Sequence, residues 1–423
     1  MTSSVTGLSV ILGFVSALDS LLPQAWTSSN PRLVGLWSQR MMLLLAVILV
    51  PISTMWLNAE SILLMLNQEP EVAHLAGIYL KWLCLGLPAY AFNSVTRRYF
   101  QSQGLLHVPT MIVTCVVPVN IILNYVLVWG PPAIRLGFIG APIATAISFN
   151  LISVGTCIYA IWWAPRDAWH PIGVASFKSV GVLVHLGLAG TGQLAAEWWS
   201  WELLGLAASY LGPVALASQS VLLVSCSSSY QAPYALSVAA SVRIGNMLGA
   251  GNALRAKIGS SVSLLMGFGF GLCCMAIFIS FRKNWAYIFN SDPEVVLLVG
   301  NILPLVAVFQ VRKPYHIVAQ DDSRRVQIFD ATCAVTAGIL RSSGRQKLGA
   351  LLNFVSYYVL GIPFGLLLTI KFNIGLFGLW IGLAMALAFN ALISTWIVLR
   401  ADWVHEVERV QERLATDTVK GHV

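Results

Sequence analysis

Long apolar segments recur along this chain and constrain its fold more than any other feature. Eleven can be counted, near residues 5–23, 40–58, 74–95, 108–130, 137–163, 181–210, 214–240, 258–281, 295–309 with 328–340, 347–370 and 375–399. A helix needs about 20 apolar residues to span a bilayer. A soluble fold cannot bury so many apolar side chains when only 10% of the residues are charged. The pattern predicts an all-α polytopic membrane protein and excludes a disordered chain, an ordinary cytosolic enzyme and a disulfide-stapled secreted domain.

Basic residues are distributed unevenly between the two sides of the predicted membrane. One side, which includes the tail after Leu399 and the cluster at residues 341–347, holds 16 of them, and the other side holds Arg135, Arg282, Lys283 and Lys371. Because Lys and Arg concentrate in cytoplasmic loops, the C-terminus is predicted to be cytoplasmic. The net charge of +8 is therefore attributed to membrane orientation rather than to a nucleic-acid partner.

An internal repeat divides the chain. The sequence LNQEPEV at 66–72 returns as FNSDPEV at 289–295, an offset of 223, and the Phe-Asn pair at 149–150 returns at 389–390, an offset of 240. The repeat predicts two lobes of six helices, a common transporter plan with the site at the interface of the lobes. The partner expected for the segment 181–210 would precede Met1, so the chain is predicted to lack the first helix.

The repeat defines four regions: an incomplete N lobe with five spans (1–164), a cytoplasmic linker (165–180), a C lobe with six spans (181–399) and a cytoplasmic tail (400–423). In the tail, Trp403, Val407, Val410 and Leu414 recur at helical spacing. That spacing is typical either of an amphipathic helix lying in the membrane interface or of a plain solvated helix.

The offset changes at residues 311–327, a 17-residue segment with six charged side chains inside an otherwise apolar helix. Such an insertion is either a real loop, which would reverse the topology of everything after it, or the product of a retained intron of 51 nucleotides. Valine codons begin with GT and a glutamine codon can end in AG, the usual intron borders, so the second interpretation is favoured. A mature transcript that contains these nucleotides would exclude it.

Four acidic residues lie within apolar segments: Asp19, Glu197, Glu202 and Asp330. A charge at the bilayer centre costs about 2.5 to 3.5 kcal/mol on insertion scales, so such residues usually face a cavity in an ion or proton pathway. Glu197 and Asp330 fall near the midplane, the latter once residues 311–327 are left out. Because a buried carboxyl group favours its protonated form, such an acid could exchange a proton for a cationic substrate. Asp19, near a cytoplasmic end, is interpreted as a structural pair or cap.

Aromatic and amide side chains are candidates for the walls of a cavity. The sequence EWWSWE places three tryptophans beside two carboxylates, and aromatic faces attract organic cations by about 0.5 to 2 kcal/mol. The candidate lining residues are Trp198, Trp201, Tyr230, Asn120 and Asn124. An interfacial belt for the tryptophans, packing for the tyrosine and interhelical hydrogen bonds for the asparagines are the alternative interpretations. Nucleotide-binding, metal-ligating and nucleophilic serine motifs are absent from the sequence, so neither a cofactor nor a metal is expected.

Four stretches resemble signature sequences of the multidrug and toxic compound extrusion family, in its eukaryotic branch. They are ALDSLLPQAW (17–26), AAEWWSWE (195–202), SVAASVRIGNMLGAGN (237–252) and GILRSSGRQKLGALLNFVSYYVLGIPFG (338–365). The resemblance covers nearly the whole chain. It implies a twelve-helix fold of two lobes and export of organic cations or other xenobiotics in exchange for protons. It also implies that Glu197 and Asp330 are the paired acids of the C lobe, with Glu202 and Tyr230 as further cavity positions.

The sequence thus predicts a monomeric, multi-pass membrane protein that exchanges protons for small organic cations in the plasma membrane or a vacuolar membrane. Its expected partners are the substrate, protons and the lipid bilayer. A truncated, nonfunctional paralogue or a faulty gene model is the alternative, because either departure from the family pattern, if real, would abolish transport. An intramembrane enzyme would need paired acids facing a lipid substrate, and the sequence offers none. An in-frame apolar segment upstream of Met1 would favour the transporter.

Overall fold

A computed structural model describes residues 3–66, 68–282, 284–307 and 326–421. Over these residues the fold consists of fourteen helices and their connections. In chain order the helices are α1 (Ser4–Trp26), α2 (Leu33–Leu57), α3 (Ala59–Met65), α4 (Pro70–Ser102), α5 (His107–Trp129), α6 (Gly137–Trp162), α7 (Val180–Ser209), α8 (Pro213–Gly249), α9 (Ala253–Phe281), α10 (Pro293–Ala307), α11 (Val326–Ser342), α12 (Gln346–Ile370), α13 (Leu376–Leu399) and α14 (Trp403–Gly421).

Eight of the described helices are long and apolar enough to cross a membrane, and they coincide with eight of the eleven segments predicted from the sequence. They are α1, α2, α4, α5, α6, α9, α12 and α13. The helices α7 and α8 are longer, with 30 and 37 residues, but polar side chains dilute their apolar character, and α8 alone contains eight serines. The all-α polytopic prediction is confirmed. Both of these less apolar helices carry candidate site residues, Glu197 on α7 and Tyr230 on α8.

The outer face of α5 shows which surface meets lipid. Ile121, Ile122, Tyr125 and Trp129 are between 61% and 68% exposed. A contiguous apolar patch of this kind would be unstable in water and marks a surface that faces a membrane or a partner. For a helix with this length and composition, the surroundings are the acyl chains of the bilayer.

Contacts between helices sort the chain into two units, and the first comprises Met1–Thr191 and Arg409–Val423. Within it, Arg98 of α4 forms an ion pair with Asp19 of α1. The first turns of α7 lie against α1, where a Cβ at Gly187 would come within 2.4 Å of the Phe14 ring. Only glycine permits this close approach, so the start of α7 belongs structurally with the first unit.

The predicted linker packs on α2. Gln39 donates its Nε2 proton to the carbonyl oxygen of His170 at 2.6 Å, and Arg40 donates from Nη2 to the carbonyl oxygen of Ala175 at 3.1 Å. The guanidinium of Arg40 also lies 4.7 Å from the centre of the Trp37 ring. Because Arg40 is buried, these contacts fix the connection between α6 and α7 on the first unit.

The second unit, Gly192–Glu408, joins its helices through close glycine contacts. A Cβ at Gly382 of α13 would lie 2.3 Å from the carbonyl oxygen of Gly361 in α12, and one at Gly338 of α11 would lie 2.5 Å from the carbonyl oxygen of Ser237 in α8. Small residues at helix crossings let backbones approach closely in membrane proteins. The helices that carry the site residues are therefore held at short separations.

The boundary between the units falls inside α7, at Gly192, whereas the repeat places the start of the C lobe at residue 181. The two apolar flanks of the predicted insertion both form helix, as α10 and α11. Residues 311–327 themselves lie outside the described part of the chain, so the insertion stays a prediction. The same holds for the missing first helix.

The tail differs from both sequence interpretations. It is helical, as α14, but Trp403, Val410 and Leu414 are each no more than 5% exposed, and Glu406 is also buried. Glu406 forms an ion pair with Arg345 at the start of α12. The apolar face of this helix is therefore covered by protein, and neither lipid nor bulk water surrounds it.

Candidate transport site

Glu197 and Tyr230 form the centre of the candidate site. Glu197 lies on α7 and Tyr230 on α8, and their side chains are hydrogen-bonded to each other. Both side chains are partly buried. A hydrogen bond to a charged group is about twice as strong as one between neutral groups, and in a nonpolar environment it also fixes the direction of the carboxyl group.

Asp330 of α11 lies close enough to Glu197 for the two carboxyl groups to interact electrostatically. The thiols of Cys226 and Cys333 lie in the neighbourhood of Asp330. Two neighbouring carboxylates repel each other, so the pair favours the uptake of one positive charge, either a proton or a cation. The structure thus brings together the two acids that the sequence singles out, from helices far apart along the chain.

Arg341 and Tyr357 join this group, although the sequence analysis does not select them. Arg341 was counted with the exposed basic loop, but it is only 7% exposed and attracts Glu197, while its Nη2 donates to Ser237 Oγ at 3.1 Å. An interval of eleven residues is about three helical turns, which puts Arg341 on the same face of α11 as Asp330. That spacing is the signal that could have found it. Tyr357, buried on α12, interacts with both acids.

The other predicted site residues of the EWWSWE motif are Trp198, Trp201 and Glu202. Trp201 packs edge-to-face on Trp380 with ring centres 6.0 Å apart and belongs to the margin of the apolar core of the second unit. Glu202 is partly buried, and its position on α7 is rotated by about 140° from that of Glu197. Glu202 therefore lies on a different face of α7 from Glu197, its role stays a prediction, and Trp201 contributes packing. Trp198 is partly buried.

Asn120 and Asn124 lie in the first unit. Asn120 of α5 donates its Nδ2 proton to Ser148 Oγ of α6 at 2.7 Å, and Asn124 donates to Asn120 Oδ1 at 3.1 Å. Both asparagines are partly buried. The contact of Asn120 corresponds to the alternative interpretation of an interhelical hydrogen bond, whereas the bond of Asn124 lies within α5.

Among the described His, Cys, Asp and Glu side chains, no group of three or more is placed to hold a metal ion. The chemistry at the site is that of two carboxyl groups, a phenol and a guanidinium. These groups can bind and release protons and can attract a positively charged solute.

A polytopic helical fold with acidic side chains inside it is typical of a membrane transporter. The MatE family model matches residues 1–126 and 191–321, and the chain belongs to this family. The family expected from the sequence motifs is therefore confirmed.

Relatives and solved structures agree with this assignment. An uncharacterised transporter of Schizosaccharomyces pombe is 38% identical over 96% of this chain and 72% of its own length. Multidrug and toxin extrusion protein 2 of Mus musculus is 32% identical over 99% of this chain and 70% of its own. The crystal structure of the eukaryotic MATE transporter AtDTX14 superposes with a TM-score of 0.87 at 30% identity, covering 98% of this chain and 88% of that one.

Proposed function

We propose that this chain is a proton-coupled antiporter that exports small organic cations, and that Glu197 and Asp330 are its coupling residues. The observation that carries the proposal is the convergence of these two acids from α7 and α11, with the Tyr230 hydroxyl bonded to Glu197. Relatives named as multidrug and toxin extrusion proteins support an organic substrate.

The acid pair provides a direct coupling device. A proton and an organic cation compete for the same negative charge, so binding of one releases the other. Arg341 limits the negative charge of the group, because its guanidinium attracts Glu197 from the same helix face as Asp330. Two carboxylates and one guanidinium leave a net charge of about −1. The site therefore favours binding either one proton or one monovalent cation, and not both at once.

The proposed orientation places the C-terminus in the cytoplasm, because the sequence assigns most of the basic residues, among them those of the tail, to that side. Export then runs toward the side that holds Arg135 and Lys371. Either the plasma membrane or a vacuolar membrane suits this direction, since each separates the cytoplasm from a more acidic compartment.

Transport into proteoliposomes tests the proposal. Tetraethylammonium uptake should follow an imposed pH gradient and should be lost, by about a hundredfold, in Glu197→Gln and in Asp330→Asn. Glu294→Gln, at the exposed start of α10, is the matched control and should transport normally. Normal transport by either site variant would remove that residue from the mechanism. Uptake that follows a sodium gradient instead would contradict proton coupling.

A further inference from the structure

A buried polar face runs along the first half of α12. Gln346, Gly349, Asn353 and Tyr357 recur at intervals of three and four residues, so they lie on one side of the helix. Each of the four is buried, with Gln346 at 0% and Asn353 at 6% exposure. We call these four residues the α12 polar face. Its first residue lies at the end of α12 that carries Arg345 and Lys347, and its last interacts with Glu197 and Asp330.

The α12 polar face is continuous with α7 through a glycine contact. A Cβ at Gly349 would lie 2.4 Å from Nε2 and 3.1 Å from Oε1 of Gln193, so the amide of Gln193 occupies the space that a side chain there would fill. Asn353 donates its Nδ2 proton to the carbonyl oxygen of Gln193 at 2.9 Å. Gln193 precedes Glu197 by four residues, which is one helical turn. The amide and the acid thus lie next to each other on the same face of α7.

Several amide atoms on this route lack a hydrogen-bond partner among the described residues. They are both side-chain atoms of Gln346 and the Oε1 of Gln193, in residues that are 0% and 2% exposed. Buried polar atoms in proteins are almost always satisfied, and internal water satisfies them where protein groups do not. The neighbouring Asn390, by contrast, is bonded to Asn353 Oδ1 at 2.8 Å. Other buried atoms of the second unit, such as Nε2 of Gln219, also lack a partner among the described residues. Along this route, however, the unsatisfied atoms belong to Gln346, which begins the α12 polar face, and to Gln193, which packs on Gly349.

We propose that the α12 polar face and Gln193 hold a chain of internal water molecules that conducts protons between Glu197 and the cytoplasmic end of the C lobe. The inference rests on the proposed function. In each passage a proton leaves the Glu197 carboxyl group for the adjacent water oxygen, and one proton leaves the last water at Gln346. Nothing is oxidised or reduced. Gln193 and Gln346 anchor the water and do not themselves change protonation.

Other titratable groups frame the inner end of this route. In the described structure, those that interact with Glu197 are Tyr230 on α8, Asp330, Cys333 and Arg341 on α11, and Tyr357 on α12. Arg341 opposes the passage of a positive charge along α11. The α12 polar face has no cationic side chain, so no fixed positive charge on it repels a proton that moves along it.

Apolar replacement of the glutamines tests the proposal. Gln346→Met and Gln193→Met keep the side-chain length and remove the hydrogen bonds. Proton flux driven by a tetraethylammonium gradient, followed with a pH dye inside proteoliposomes, should fall by about tenfold or more in each variant. The dissociation constant of tetraethylammonium at fixed pH should change by less than about twofold. Gln346→Asn, which keeps an amide, should recover most of the flux.

Gln219→Met is the matched control, because Gln219 is a buried glutamine of the same unit that lies on α8, outside the α12 polar face. Its Oε1 accepts a hydrogen bond from Trp380, and its Nε2, like the amide atoms of Gln346, lacks a partner among the described residues. It should leave the proton flux close to that of the parent protein. Normal flux in both methionine variants overturns the water chain, while inactivity of Glu197→Gln in the same assay leaves the coupling role intact. Equal losses of flux and of substrate binding also overturn it, since they indicate a packing role.

A measurement on the unmodified protein covers the case in which the variants fail to fold. Hydroxyl radicals generated by X-rays from bound water should label Tyr357, which is 3% exposed, within milliseconds. Trp56, which is 1% exposed and donates its Nε1 proton to Thr6 Oγ1, should stay unlabelled although indole is intrinsically the more reactive group. Equal labelling of the two side chains, or none of Tyr357, overturns the proposal.

Discussion

The Nε atom of Arg98 lies 2.5 Å from Oδ1 of Asp19, and the two side chains are only 10% and 7% exposed. This ion pair joins α4 to α1 within the first unit. Breaking a buried pair by removing one partner costs about 3 to 5 kcal/mol, because the remaining charge stays buried without its ionic partner. Asp19 was interpreted from the sequence as a structural pair rather than as a coupling site, and the contact with Arg98 agrees with that interpretation.

Asp19→Ala should therefore lower the melting temperature of the detergent-solubilised protein, by several degrees or more. The double variant Asp19→Leu with Arg98→Met should recover much of the loss, since it leaves no buried charge unpaired. Size-exclusion profiles after heating measure both effects. If Asp19→Ala is as stable as the parent protein but cannot transport, Asp19 belongs to the coupling machinery instead.

Gly338→Ala should destabilise the second unit. The new Cβ would lie 2.5 Å from the carbonyl oxygen of Ser237, and that oxygen is part of the α8 backbone, so the two helices must move apart. The expected cost is about 1 to 3 kcal/mol, as in other overpacked sites. Because Arg341 is bonded to Ser237, transport should also fall.

Gly269→Ala serves as the control for this prediction, because Gly269 is in the interior of α9 and a Cβ there meets nothing within 4 Å. It should be neutral or stabilising by up to about 1 kcal/mol, the difference in helix propensity. The melting temperatures of the two variants test this prediction. Equal stability would show that α8 and α11 can accommodate a Cβ at Gly338 without moving apart.

Glu406→Ala should release α14 from its place against the protein. The Glu406 carboxylate is 2% exposed and paired with Arg345, and a hydrogen bond between charged groups contributes about 1.5 to 3 kcal/mol. Limited proteolysis should then cut within 403–421 about tenfold faster or more. Glu408→Ala, two residues further on and 64% exposed, should be cut at the parent rate. Equal rates in both variants would show that apolar contacts alone hold the helix.

Tyr230→Phe should reduce coupled transport by about tenfold, because it removes the hydrogen bond to Glu197 and leaves the ring in place. The Tyr234 ring lies one turn further along α8, with ring centres 6.1 Å apart, and Tyr234→Phe is the matched control with a rate near that of the parent protein. Uptake of tetraethylammonium under a fixed pH gradient measures both variants. An unchanged rate in Tyr230→Phe would mean that the phenol oxygen does not contribute to coupling.

The candidate site could be read from the sequence only in part. An acid in the middle of a long apolar segment is a local feature, so Glu197 and Asp330 can be identified from the sequence alone. Arg341 was misplaced because it stands beside Arg345 and Lys347, and a cluster of basic residues is typical of an exposed loop. The structure buries it, since α11 extends to Ser342 and its last turn faces α8.

The tryptophans show the same limit. Their position beside two carboxylates suggested a cation-binding wall, but Trp201 lies edge-to-face on Trp380, a residue of α13. Helical periodicity gives the face of α7 on which a side chain lies, but not the helix that covers that face. The covering helix depends on packing between segments that are remote in sequence.

Segment length, composition and motif determined by themselves that this protein is an all-α membrane transporter of the MatE family. Those properties are local, because the backbone of each membrane-spanning segment must form its hydrogen bonds within that segment, as a helix does. The tertiary structure alone decided that Arg341 and Tyr357 lie beside the two acids, that α14 docks on protein through Glu406, and that buried amides lead from α12 to Glu197. These relationships join different helices, and the energy that selects them is side-chain packing and pairing that exists only once the helices have assembled.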